Sequence, residues 1–114
     1  MKHIMRLNDS PFSLIQSGRK TIELRLYDEK RQAICVGDQI EFVHSADNSR
    51  KLLCTVLALH VFDSFKSLYE SLPLLKCGYT EEDVSTAAYT DMEEYYSAEQ
   101  QQRYGVVGIE IKIV

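Results

Sequence analysis

The sequence has no long apolar run and no general excess of basic residues. Its longest uncharged apolar stretch runs from Leu52 to Val61, well short of the roughly 20 residues that a membrane-spanning helix needs. The N-terminus lacks the apolar core and the small-residue cleavage site of a signal peptide. We therefore expect a soluble protein located in the cytoplasm.

Cysteine is scarce, and its spacing suggests no special chemistry. Three cysteines are present, at Cys35, Cys54 and Cys77. Their odd number and their spacing give neither a disulfide framework nor a C-x-x-C motif, so we expect small buried hydrophobic residues. Nothing in the sequence favours a Cys–His nucleophilic pair with His44 or His60.

Metal-binding and phosphate-binding motifs are also missing. No group of residues has the spacing of metal ligands, and residues 18–21 lack the upstream glycine of a P-loop. The sequence therefore predicts no metal and no cofactor.

The net charge of −4 is unevenly distributed along the chain. Residues 1–60 hold nine Lys and Arg against seven Asp and Glu, whereas residues 61–114 hold four against ten. Broad binding to nucleic acid requires a strongly basic surface, which this composition excludes. A nucleic-acid ligand would need a local basic site, or would be a single nucleotide or nucleoside.

The hydrophobic patterns predict one α+β domain over residues 1–114. Alternating or continuous apolar residues indicate five strands, at 2–7, 20–27, 39–44, 52–62 and 106–114. We expect strand 52–62 to be central and buried on both faces, because it is almost continuously apolar. Strand 106–114 alternates and is expected to be half exposed.

Helix signals fill the gaps between these strands. Asp9-Ser10-Pro11 starts a helix of about two turns that Ser17-Gly18 ends. Residues 63–104 are predicted to form a helical insertion. Its first helix is capped by Asp63 or Ser64, two capping-box patterns start helices at Thr80 and Ser97, and a further turn or two runs from Asp91 to Tyr96. Without βαβ alternation, a small mixed β-barrel with helices packed outside is favoured over a doubly wound sheet.

The densest group of candidate site residues lies in the second strand. Alternation places Ile22, Leu24 and Leu26 on one face and polar residues on the other; the polar face holds Thr21, Glu23, Arg25 and Tyr27. A lysine beside a carboxylate can have its pKa tuned for acid/base or nucleophilic work, and Lys20 precedes this strand. The alternative is a solvated cross-strand ion pair on a wet sheet face.

Further candidates are less specific. Lys30 and Arg31 end a run of four charges that is typical of a solvated turn, but they are candidates for phosphate contacts. Tyr95, Tyr96 and Tyr104 are expected to be packing residues more than stacking platforms for a base.

Three segments resemble the ASCH domain, the activating-signal-cointegrator homology domain. Residues 17–25 (SGRKTIELR) resemble its signature, residues 37–42 (GDQIEF) its second common element, and residues 95–109 the end of its small prokaryotic stand-alone members. The resemblance implies a PUA-like β-barrel with a cleft beside the motif strand, and a role in binding RNA or nucleotides.

One branch of the family is implied to be an amidohydrolase that deacetylates N4-acetylcytidine. It uses the motif lysine, a threonine on the same strand and a more distant glutamate. Here the lysine is Lys20, but Glu23 occupies the threonine position, and Thr21 shares its face two residues away. Other members are linked to RNA cleavage, for which Lys20, Glu23 and Arg25 would serve as acid/base and phosphate clamp.

Three functional hypotheses follow. The first, which the acidic half and the missing threonine favour, is an RNA- or nucleotide-binding domain with a cationic cleft beside the motif strand; its predicted ligand-binding residues are Lys20, Thr21, Glu23, Arg25, Lys30, Arg31 and Tyr96. The second is a small hydrolase acting on a modified nucleoside or on RNA, with Lys20 and Glu23 as catalytic residues. The third is a protein-interaction domain that uses the acidic insertion 63–104.

Overall fold

The computed structural model describes residues 1–114 and contains one curled, mixed sheet with helices packed around it. Its five strands are β1 (Lys2–Leu7), β2 (Ile22–Leu26), β3 (Gln39–His44), β4 (Lys51–Phe62) and β5 (Val106–Ile113). The strand order is β1-β3-β4-β5-β2, with β1 parallel to β3 and all other neighbours antiparallel. The predicted α+β class with a PUA-like, barrel-like sheet is confirmed.

The two edge strands approach each other because the sheet curls. Nη2 of Arg25 on β2 donates a hydrogen bond of 2.9 Å to the carbonyl oxygen of Arg6 on β1. The half-barrel is therefore bridged at this point by a side chain, which brings β1 and the motif strand to the same side of the molecule.

The helices follow the predicted signals except in the middle of the insertion and at Glu29–Gln32, where the charge run expected to be a solvated turn forms one helical turn capped by Asp28. They are α1 (Asp9–Gln16), α2 (Glu29–Gln32), α3 (Phe65–Ser71) and α4 (Ala98–Tyr104), with short 3₁₀ helices at Leu74–Lys76, Val84–Thr86 and Tyr89–Glu94. Ser97 and Gln100 form the predicted capping box of α4. The helix expected from Thr80 is wrong: Asp83 accepts hydrogen bonds from the Thr80 amide and hydroxyl, which closes a turn instead. None of the helices has the length and apolar character needed to cross a membrane.

Two hydrophobic clusters lie on opposite sides of β5. One joins the sheet to α1 and includes Phe12, Phe42 and Val107. The other joins β2 and β5 to α3 and includes Leu24, Phe65, Leu68 and Val106. Because successive side chains of a strand point to opposite faces, the first half of β5 is buried on both faces, and the prediction of a half-exposed strand is wrong there.

Strand β4 has the predicted central position but not the predicted burial. It pairs with β3 and β5, and Val56 is fully buried, yet Leu57 and Val61 are 45% and 48% exposed. A register shift between Val56 and Ala58 interrupts the ladder. An apolar run does not show whether helices or strands pack on both faces of a strand. The prediction that β4 is buried on both faces is therefore wrong at Leu57 and Val61.

The cysteines are only partly as expected. Cys54 and Cys77 are buried, and burial raises the pKa of each thiol to about 11. Cys35 is exposed, contrary to the prediction, in the connection that follows α2. The rings of His44 and His60 bond to Asp9 and Glu110, so neither histidine is oriented by a cysteine.

Candidate functional site

A cavity of about 480 Å³ lies between the motif strand and the helical insertion, a size typical of small-molecule sites. We call its first side the sheet wall, which comprises Arg6, Lys20, Glu23 and Arg25. We call its second side the insertion wall, which comprises Tyr69, Tyr79, Asp91, Glu94, Tyr95 and Tyr96. The start of α1, the segment Cys77–Gly78 and a few further residues, among them Leu24 and Met92, also contribute to the lining.

The local backbone places Lys20 in the sheet wall. Gly18 has φ of 81°, where glycine is favoured, and it turns the chain out of α1. The amides of Arg19 and Lys20 then both donate to the Leu14 carbonyl oxygen at 3.0 Å. Gly78 packs against the stem of this lysine, since a Cβ there would lie 3.4 Å from Lys20 Cδ.

Glu23 is the centre of a buried ion-pair array. Lys20 Nζ lies 2.6 Å from Glu23 Oε1, and Arg25 Nε donates to Oε2 at 2.9 Å. The Glu23 side chain is only 4% exposed. The solvated ion pair on a wet sheet face, weighed as an alternative, is therefore wrong: these charges are removed from water and satisfied by one another.

The array controls the charge of Glu23. Burial by itself raises the pKa of a carboxyl group, but the charges and hydrogen bonds of Lys20 and Arg25 outweigh it, so the pKa of Glu23 is lowered. Glu23 also counteracts the desolvation of Arg25, whose pKa is raised. Glu23 and Arg25 are consequently both charged at neutral pH.

The structure brings some of the predicted site residues together and leaves others apart. Four line the cavity: Lys20, Glu23, Arg25 and Tyr96. Thr21 does not line it, and its backbone bonds to Lys76 and Ile111. Lys30 is exposed on α2, and Arg31 there pairs with Asp28 at 3.1 Å; neither contributes to the lining.

The charges around the cavity are balanced and segregated. The cations Arg6, Lys20 and Arg25 all belong to the sheet wall. Against them stand Glu23 within the array and the carboxylates of Asp91 and Glu94 on the insertion wall. The lining thus lacks the net positive charge that the sequence suggested, because the insertion contributes acidic residues.

The insertion wall contains a hydrogen-bonded chain that the sequence did not indicate. The hydroxyls of Tyr69 and Tyr79 are 2.6 Å apart, and the Tyr79 hydroxyl donates to Asp91 Oδ2 at 2.7 Å. The hydrogen bond from Tyr79 lowers the pKa of Asp91. Tyr96 stacks on Phe65 with ring centroids 5.8 Å apart. No sequence periodicity connects these residues, since irregular turns bring them together.

Comparison with known proteins shows the family. The family model of the ASCH domain matches residues 5–114. The chain belongs to the ASCH domain family. This family has a PUA-like fold, and its members often bind RNA.

Solved structures show the same architecture. The hypothetical protein PH0355 is 33% identical, with a TM-score of 0.81 and full coverage of both chains. Protein PF0455 from Pyrococcus furiosus is 32% identical, with a TM-score of 0.76 and coverage of 100% of this chain and 98% of that one. An ASCH protein from Zymomonas mobilis is 13% identical, with a TM-score of 0.67 over 97% of this chain and 66% of that one, and shows the fold alone. The search of curated proteins returned no match.

In this ASCH domain the residues implied for deacetylation are incomplete. The side chain at the threonine position is the carboxylate of Glu23, and both its oxygens accept hydrogen bonds or ion pairs from cations. Thr21 does not line the cavity, so its hydroxyl does not replace the missing one. No group of His, Cys, Asp and Glu residues is placed to hold a metal ion.

Proposed function

We propose that this ASCH domain binds RNA or a nucleotide by admitting one nucleotide unit to the cavity between the sheet wall and the insertion wall. The observation that carries the proposal is the buried array of Lys20, Glu23 and Arg25, which faces a cavity lined by four tyrosines. Membership of a family that often binds RNA supports it.

The sheet wall supplies donors for a phosphate group. Lys20 has three N–H donors and Arg25 has five. Glu23 and the Arg6 carbonyl oxygen engage only part of this set, which leaves donors for a ligand. Because Glu23 holds both cations in place, they are oriented before a ligand arrives, and less conformational entropy is lost on binding.

The insertion wall supplies aromatic surface for a base. Stacking of a base on an aromatic side chain contributes about 1–3 kcal/mol and tolerates any base. Tyr95 is 64% exposed, which suits a residue that would gain contacts from a ligand. Tyr96 is fixed by its stack on Phe65 and borders the same cavity.

The balanced charge of the cavity favours one nucleotide unit over a long run of phosphates. Each phosphate neutralised on a single strand contributes roughly −0.7 to the slope of log K against log salt. With three cations and three carboxylates in the lining, we expect a slope of about −0.7, set by a single phosphate. A strongly basic groove would give a much steeper dependence.

A thermal-shift panel of nucleosides, nucleoside monophosphates and short single-stranded RNAs tests the proposal. A ligand that binds only the folded protein raises its melting temperature, and we expect monophosphates and RNAs to do so at lower concentration than nucleosides. Inorganic phosphate serves as the control for simple anion binding. If no member of the panel stabilises the protein, the proposal is wrong, and the acidic insertion becomes the surface to test for a protein partner.

The hydrolase hypothesis has one observation in its favour, the contact between Lys20 and Glu23 inside the cavity. The same contact works against it. Both oxygens of the Glu23 carboxylate are engaged by cations, Oε1 by Lys20 and Oε2 by Arg25. The lowered pKa of Glu23 leaves this carboxylate without the proton of a general acid. Binding is therefore the function that the geometry supports best.

A further inference from the structure

The chain of Tyr69, Tyr79 and Asp91 on the insertion wall offers a ligand hydrogen-bond acceptors and no hydroxyl donor. A tyrosine hydroxyl has one hydrogen, and that of Tyr79 is donated to Asp91 Oδ2. In the 2.6 Å contact between the two hydroxyls, Tyr69 must therefore be the donor. Both hydroxyl hydrogens are used, and only oxygen lone pairs remain to face the cavity.

Asp91 ends this chain with one free oxygen. Its Oδ2 accepts from the Tyr79 hydroxyl at 2.7 Å and from the Ala88 amide at 3.2 Å, whereas Oδ1 accepts no hydrogen bond from the protein. The hydrogen bond from Tyr79 lowers the pKa of Asp91, so the group is ionised at neutral pH and acts only as an acceptor.

We infer that Asp91 makes the cavity specific for a nucleotide whose base carries an exocyclic amino group at the edge that meets the insertion wall. The inference rests on the proposed function and adds the class of base. Cations on the sheet wall would take the phosphate, while the fixed carboxylate on the insertion wall would accept a hydrogen bond from the amino group. Asp91 carries this role in place of Glu94 because two hydrogen bonds hold its carboxylate, and Glu94 has none.

The alternative bases are rejected for a definite reason. Uracil and hypoxanthine present a carbonyl oxygen where cytosine and adenine present an amino group. A base carbonyl oxygen that faces Asp91 would meet the carboxylate oxygen, which is also an acceptor. Both oxygens would then lose their hydrogen bonds to water on binding without gaining one from each other. A hydrogen bond to a charged group contributes enough that its loss reduces affinity by about ten- to a hundredfold.

Titration calorimetry with matched monophosphates tests the inference on the intact protein. Cytidine and uridine 5′-monophosphates form one pair, and adenosine and inosine 5′-monophosphates form the other. In each pair the phosphate and sugar are the same, so the ratio of dissociation constants isolates the base edge. We expect the amino-bearing member to bind about ten- to a hundredfold more tightly in both pairs.

Asp91→Asn and Asp83→Asn are the paired variants. An asparagine at position 91 keeps an oxygen for Tyr79 but also presents an NH₂ group that suits a carbonyl oxygen, so the ratio should fall to within about threefold. Asp83 is exposed in the same insertion and does not line the cavity, so its variant should keep the native ratio.

The outcomes separate this inference from the function that it builds on. If both members of each pair bind the native protein equally, the inference is overturned and the proposed function stands. A ratio that survives Asp91→Asn overturns the assignment to Asp91. Absence of binding by all four monophosphates and by short RNAs instead overturns the proposed function.

Discussion

The two walls of the cavity hold their polar groups in different ways. On the sheet wall, Glu23 and Lys20 are 4% and 10% exposed, and each charge faces an opposite charge. On the insertion wall, Asp91 lies at the surface and is held by a tyrosine hydroxyl and a backbone amide. A change in the sheet wall should therefore alter the stability of the protein, whereas a change in the insertion wall should alter which ligand binds.

The difference arises from the secondary structure beneath each wall. Strand β2 is fixed by its register with β5, in which Glu23 lies opposite Ile109 and Arg25 opposite Val107. The insertion wall is built from α3, turns and short 3₁₀ helices. Side-chain hydrogen bonds fix the positions of its polar groups, as backbone pairing between strands does in the sheet wall. The sheet wall therefore suits the phosphate, which all nucleotides share, and the insertion wall suits the base, which differs between them.

The largest expected effect comes from removing the centre of the array. Glu23→Ala leaves the buried Lys20 and the half-buried Arg25 without their partner, and breaking a buried ion pair in this way costs about 3–5 kcal/mol. Urea denaturation should show this loss in the free energy of unfolding. Glu41→Ala is the matched control, because Glu41 forms a surface ion pair with Lys2 at 3.4 Å that contributes less than about 1 kcal/mol. Equal losses in the two variants would contradict a stabilising role for the array.

The next effect concerns binding on the sheet wall. Arg25→Ala removes charge-assisted hydrogen bonds, so we expect cytidine 5′-monophosphate to bind about ten- to a hundredfold more weakly in calorimetry. The affinity of Arg25→Lys should lie between those of the native protein and Arg25→Ala, since lysine keeps the charge and loses the planar fork of the guanidinium. Lys112→Ala on β5 is the control and should change little, because Lys112 does not line the cavity. Equal weakening by Arg25→Ala and Lys112→Ala would indicate diffuse electrostatic binding or another site.

A smaller effect should distinguish the two walls in the dependence of the unfolding free energy on acidic pH. The pKa of Glu23 is lowered from its ordinary value of 4.5, so its contribution to stability is present above that pH and is lost as the pH falls through the folded-state value. The unfolding free energy should therefore decline below about pH 4.5, and Glu23→Gln should flatten this decline. Asp91→Asn should change it less, because Asp91 is exposed. The opposite ranking would show that the insertion wall carries the acid sensitivity.

The smallest expected effect is the hydrolysis of N4-acetylcytidine by the native protein. We expect little or no release of product from N4-acetylcytidine, because Glu23 supplies no hydroxyl and Thr21 lies outside the cavity lining. Chromatography of long incubations with the native protein would measure this. Product release that Lys20→Ala abolishes would show that the ion-paired lysine acts as a catalyst and that the hydrolase hypothesis is correct.

Local signals predicted much of the fold and part of the site. The capping box at Ser97, the glycine that ends α1 and the alternation in β3 each involve residues close in sequence, and each forms as predicted. The motif grouped Lys20, Glu23 and Arg25 because they are close in sequence. Glu23 and Arg25 share one face of β2, and Lys20 reaches Glu23 from the segment before β2 begins. Their burial was not predictable in this way, since it depends on the insertion that covers them.

The sequence by itself determined the family, the α+β class and the grouping of the motif charges, because these depend on composition, periodicity and short spacing. Only the tertiary structure decided which charges face the cavity. Lys30 and Arg31 are near the motif in sequence but lie on α2 outside the lining, whereas Tyr79 and Asp91 are distant and border it. The physical reason is that the curl of the sheet and the path of the insertion set these distances, and both result from burying the two hydrophobic clusters.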